Sequence, residues 1–194
     1  PNTQATITNN GILSIDATYI SGASTAINNN TGSTLDINNS EIFSPNTAIF
    51  STGTSNNYNT INLNGTSKVT SNKIGFSNSY TNTYLKDTSK VSVTGNGSDT
   101  ISAFYNGTTF LEGGTIEVVQ TGSGKAYGIN TPSATATINA GSITITSSSS
   151  SSEANAVYTK NLTMNGGSIS ASKTRGSGEA RAIVLSSSGT ANIN

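Results

Sequence analysis

Hydrolytic chemistry in this sequence would have to start from nine carboxylates: Asp16, Asp36, Glu41, Asp87, Asp99, Glu112, Glu117, Glu153 and Glu179. The chain contains no His to act as a base near neutral pH and no Cys to supply a thiolate. A Ser–His dyad is therefore impossible, however many serines are present. Two or three acids can still cleave a glycosidic bond, one protonating the leaving oxygen while another serves as base or nucleophile. That chemistry requires the acids to converge on one sugar. A calcium site would require a comparable cluster of oxygen ligands.

Whether acids converge depends on the elements that carry them, and here the elements repeat. "TINAGSI" and "TMNGGSI" recur 26 residues apart, with Ile138 and Met164 in register. Leu111, Leu85, Leu63 and Ile37 continue the series upstream at intervals of 27, 26, 22 and 26 residues, with Ile7 and Ile193 as looser outer members. A second apolar position follows each after a short turn: Ile42, Val69, Val91, Ile116, Ile143 and Ile169. A third segment pairs a small residue with a larger one: Ala26-Ile27, Ala48-Ile49, Gly75-Phe76, Ala103-Phe104, Ala126-Tyr127, Ala156-Val157 and Ala182-Ile183.

These segments are short, alternating and β-branched, and Gly, Asn, Ser and Thr separate them. Three strands in each unit of 22–30 residues describe one rung of a solenoid. The fold expected is all-β, a right-handed parallel β-helix (β-solenoid) of about seven rungs with three short strands each, one segment over residues 1–194. Asn38, Asn64, Asn139, Asn165 and Asn194 follow the first apolar position, where stacked amides bond rung to rung. Lys86 and Glu112 interrupt that series, while Gly113-Gly114, Ala140-Gly141 and Gly166-Gly167 supply the turn.

On this frame the nine acids scatter. Asp87 and Glu112 come nearest to each other, with Lys86 beside them reading as one half of a surface ion pair. No catalytic residue, metal ligand or cofactor is expected, and the chain reads as a non-enzyme. The charges instead form two stripes: Glu41, Lys68 and Lys90 before the second strand, and Lys125, Glu153 and Glu179 before the third, with Arg181 just beyond. As nearly the only charges on a neutral rod, these are candidate partner-binding residues. Tyr105 and Tyr158 join them, since alternation points both outward. Phe76, Phe104 and Tyr127 fall at one ladder position and are expected as stacked core.

Two polar stretches break the plain rung: residues 146–155, with six consecutive Ser, and residues 172–181 one rung later. They read as flexible loops on the side where solenoid insertions collect. Ser, Thr and Asn together number 89 of the 194 residues, and 9 basic residues balance 9 acidic ones. Zero net charge removes the electrostatic basis for nucleic-acid binding. No apolar run approaches the roughly 20 residues of a membrane helix, so this segment is not expected to insert. An abrupt start and a stop within the pattern at "TANIN" suggest a piece of a longer protein.

"ATINAGSITIT", "LTMNGGSISAS" and "GKAYGIN" resemble the passenger domains of Gram-negative autotransporters, the type V secretion family. That resemblance implies a parent chain with a signal peptide and a C-terminal β-barrel, both absent from this segment. It also implies export across the outer membrane to the bacterial cell surface. Its function would be that of an adhesin segment, with a host-cell surface receptor or glycan, or an identical passenger, as partner. The alternatives are a non-adhesive structural stalk and a carbohydrate-binding β-helix of the phage tail-spike kind.

Overall fold

Runs such as Thr34–Asn38 (TLDIN) and Thr115–Gln120 (TIEVVQ) bury every second residue, the signature of a strand with one wet face. The computed structural model describes residues 5–194, and among these every regular element is a strand. All the strand–strand ladders are parallel, and each strand pairs with its equivalents one rung before and one rung after. The chain is a parallel β-solenoid of about seven turns.

Second strands form one sheet of their own, seven strands from Tyr19–Ser21 to Ser168–Lys173. First and third strands share the other sheet. In the early rungs these remain separate, as Thr47–Thr52 and Asn59–Asn64 are. In the last three they fuse into the continuous strands Ala126–Ile138, Ala154–Met164 and Ala180–Ile193. The corner there flattens into a register shift between Thr131 and Thr135 and another between Thr159 and Asn161. Three strands per rung thus becomes two toward the C-terminus.

The first ladder runs Ile15, Ile37, Leu63, Leu85, Leu111, Ile138, Met164 and Ile193. Ile15, and not Ile7, is its outer member; Ile7 pairs with Ile27 in the third-strand column. In that column Phe76 and Phe104 stack at 4.9 Å with planes 3° apart, and both are fully buried. The next member is Ile129, because Phe104 pairs with Ile129 and Tyr127 falls opposite Ser102 and Asn155. Tyr127 is therefore not in the phenylalanine stack: its Ala-Tyr pair imitates the small–large pattern two residues before the true Gly128-Ile129 pair.

Beside the apolar core stands a buried polar column that the alignment did not anticipate. Asn9 donates to Asn29 Oδ1 (2.7 Å), and Asn29 donates to Ser51 Oγ (3.3 Å). Asn59 and Thr81 also donate to Ser51 Oγ, from the following strands. Buried amides and hydroxyls are tolerated only when paired in this way.

The Asn ladder forms as expected: Asn64 donates to Asn38 (2.9 Å), Asn165 to Asn139 (2.8 Å) and Asn194 to Asn165 (2.7 Å). Its corner turns through positive φ at Asn39, Gly65, Asp87, Gly114, Gly141 and Gly167. At Gly141 a Cβ would stand 2.6 Å from the carbonyl oxygen of Gly114, so the close stacking of rungs requires glycine there.

Candidate functional site

Stacking brings Glu41, Lys68 and Lys90 into one column, as their spacing predicts. Each charge is then met from a neighbouring rung. Lys68 Nζ lies 3.0 Å from Glu41, and Lys90 Nζ lies 2.5 Å from Glu117. Lys73 reaches Asp99 at 3.3 Å and Lys125 reaches Glu153 at 3.8 Å, while Arg181 pairs with Glu179. All five pairs are exposed, and such pairs contribute only about 0.2–1 kcal/mol each. Their main effect is electrical: ten of the eighteen charges cancel in local pairs, while Asp16 and Asp36 toward the N-terminus and Lys160, Lys173 and Arg175 toward the C-terminus lie outside them.

The acids do not share a centre. Asp87 Oδ2 accepts the N–H of Gly65 at 2.7 Å, closing a corner. Lys86 makes no ion pair with Asp87 or Glu112, contrary to the sequence expectation. It donates to Asn62 Oδ1 at 3.2 Å and lies 5.2 Å above the Tyr84 ring. Tyr84 in turn stacks on Phe110 at 4.5 Å, an outward aromatic pair that neither the repeat nor the charges had marked.

Tyr105 is exposed at 40%, as alternation required. Tyr158 occupies the same outward column through Asn130 but is half-covered, its ring 6.2 Å from that of Tyr127. Tyr127 itself is buried. Burial first, and the Glu153 carboxylate second, push its hydroxyl above the ordinary value of 10.0.

The Ser-rich stretches form irregular turns that are hydrogen-bonded to the neighbouring rungs. Ser147 and Ser149 are buried. Ser149 and Ser152 donate to the carbonyl of Ser123 on the preceding rung, at 3.2 and 2.6 Å. Ser177 N–H continues the series to Ser150 O, and Lys173 Nζ reaches Ser152 O at 2.5 Å.

A concavity lies elsewhere, at the corner between third and first strands. Residues 53–58 form an excursion there, pinned by Gly53 N–H to Ser79 O (2.8 Å) and Asn59 N–H to Tyr80 O (3.0 Å). A Cβ on Gly53 would meet Tyr80 O at 2.3 Å, so glycine permits the loop to close. Tyr58 and Tyr80 then meet edge to face, 5.7 Å apart with planes at 87°, and both remain nearly half exposed. They border a cleft of about 370 Å³ that spans four rungs, with Asn78, Asn106, Gly107 and Ser133 among its walls.

Tyr80 holds φ at 45°, a conformation seldom adopted by bulky residues. Asn78 is 3% exposed, and its Oδ1 has no hydrogen-bond donor. The repeat could not reveal this site, because it draws on residues 75 positions apart. The one hint was the excursion "GTSNNY", which lengthens a single corner. No family model, curated protein or solved structure matches the chain.

Proposed function

We propose that this solenoid is an adhesive segment of a bacterial surface protein of the autotransporter passenger type. In this reading it attaches cells to host surfaces or to one another by lateral association of like rods. The observation that supports it is the pairing of opposite charges along the two stripes. Exposed cations and anions are matched on adjacent rungs, leaving long outward columns of Ser, Thr and Asn between them. Two such paired faces approach with little repulsion. Side by side they can form many hydrogen bonds of about 0.5–1.5 kcal/mol each, and display on a cell surface multiplies that weak contact. Exposed aromatics along the columns, Phe50 and Tyr105 among them, add apolar contact area.

The double variant Lys68→Glu, Lys90→Glu tests the proposal. It places two further acids beside Glu41 and Glu117 and turns a neutral column into an anionic one. Cells displaying it are expected to settle several-fold more slowly than cells displaying the parent, with recovery at high salt as screening sets in. Settling that is unchanged by the double reversal would count decisively against association through this face.

A further inference from the structure

We propose that the Tyr58–Tyr80 cleft is a binding site for a neutral saccharide. This deepens the adhesive reading and takes from it only that the protein meets glycans at a cell surface.

The chemistry of the walls selects the ligand class. Tyr, Asn, Ser, Thr, Gly and Ala line the cleft, and no Lys, Arg, Asp or Glu is among them. A phosphorylated, sulfated or sialylated ligand would be drawn by the fork or point charge of Arg or Lys, and none is present. A neutral sugar needs the reverse: an aromatic surface for its apolar C–H face, and uncharged amides and hydroxyls for its hydroxyls. The volume, about 370 Å³, lies in the range of small-ligand sites and holds one or two sugar rings, not a folded partner.

Two irregularities coincide at this place, although a buried atom without a partner also occurs at Asn28, Thr70, Thr109 and Asn155, and Tyr80 also packs on Tyr58. A buried acceptor without a donor is rare in a folded protein. Asn78 Oδ1 is such an acceptor, and its own amide nitrogen is already committed to Thr83 Oγ1 at 3.0 Å. A sugar hydroxyl entering the cleft supplies a donor. Tyr80 is strained in the left-handed region, where Asn106 and Gly107 of the next rung turn without comparable conflict. A scaffold alone would favour Asn or Gly at position 80. Strain kept at a concave surface, on a residue whose ring lines that surface, marks a site held for binding.

The test is a ligand-observed NMR titration of the 194-residue chain with lactose, maltotriose and chitobiose, and with 3′-sialyllactose as the charged control. At least one neutral probe is expected to bind with Kd on the order of 1 mM, more tightly than the sialylated control. Tyr58→Ala and Tyr80→Asn are each expected to weaken that binding at least tenfold. Tyr80→Asn should melt no lower than the parent, so its loss of binding cannot be ascribed to unfolding. Absence of binding by all three neutral probes, tighter binding of the sialylated control, or titrations unaltered in both variants would overturn the proposal. Clumping and adherence of displaying cells are scored separately. If the parent chain confers neither, the adhesive reading falls, while the free-sugar titration still decides the cleft.

Discussion

At the corner after the first strand, the chain turns through Ala17, Asn39, Gly65, Asp87, Gly114, Gly141 and Gly167, all but Ala17 residues that enter the left-handed region with little penalty. At the corner after the third strand it turns through Tyr80 in one rung, Asn106-Gly107 in the next, and a strand bulge thereafter. Both corners meet the same geometric need, since each must redirect a strand while keeping its neighbours 4.7–4.9 Å away. One meets it with a single left-handed residue in rung after rung, with amides bonding over the rungs on either side of Lys86 and Glu112. The other varies, accepts strain and opens a cleft. Regularity marks the residues that hold the rod together, and irregularity marks those free to serve something else.

That contrast predicts that stability and binding will separate along the two corners and the core between them. The largest loss is expected in the core that both corners enclose. Phe104→Ala removes a fully buried ring stacked on Phe76 and should cost about 3–5 kcal/mol in urea unfolding. Next comes Gly141→Val, which forces a Cβ against the Gly114 carbonyl at φ 86°; a loss of roughly 1–3 kcal/mol is expected, with saccharide titration unchanged. Asn139→Ala takes the acceptor from Asn165 and should lower stability by about 1 kcal/mol. If Gly141→Val proved as harmless as Tyr80→Asn, the distinction between the two corners would collapse.

The smallest effect concerns pH. Tyr127 keeps its proton in the folded chain above the point at which an unfolded tyrosine loses it. Between the unfolded value near 10.0 and the higher folded value, the native state therefore binds more protons. Stability must fall as pH rises through that window, and below it the contribution is complete. Tyr127→Phe is expected to flatten the decline above pH 10 relative to the parent in thermal melts, leaving melts at pH 7 little changed.

How far the sequence carried the fold follows from the same physics. A 26-residue spacing of apolar residues with an Asn after the first one suffices to place strands and corners, because stacking requires equivalent residues to recur. It fails where the recurrence is counterfeit. Ala126-Tyr127 looks like Ala103-Phe104, yet the true equivalent lies two residues on, since corner length changes before that strand. Ile7 imitates Ile15 in the same way, because the first rungs are short. The charge stripes were placed correctly. Their neutralisation was missed, because Glu117 meets Lys90 from a position two residues along the next rung. The cleft lay beyond reach: neither the φ of Tyr80 nor the missing donor at Asn78 leaves any trace in composition or period.

The amide ladders have a direction. On the outer columns Asn38, Asn62, Asn64, Asn165 and Asn194 each donate toward the earlier rung. Within the barrel Asn9 and Asn29 donate toward the later one. Asn59, also inside, donates the other way, to Asn29 O, so a single direction belongs to the outer ladder alone. A rod built this way carries that outer polarity from rung to rung. It distinguishes its two ends, so a foreign rung could be accommodated only in the orientation that matches every donor to an acceptor.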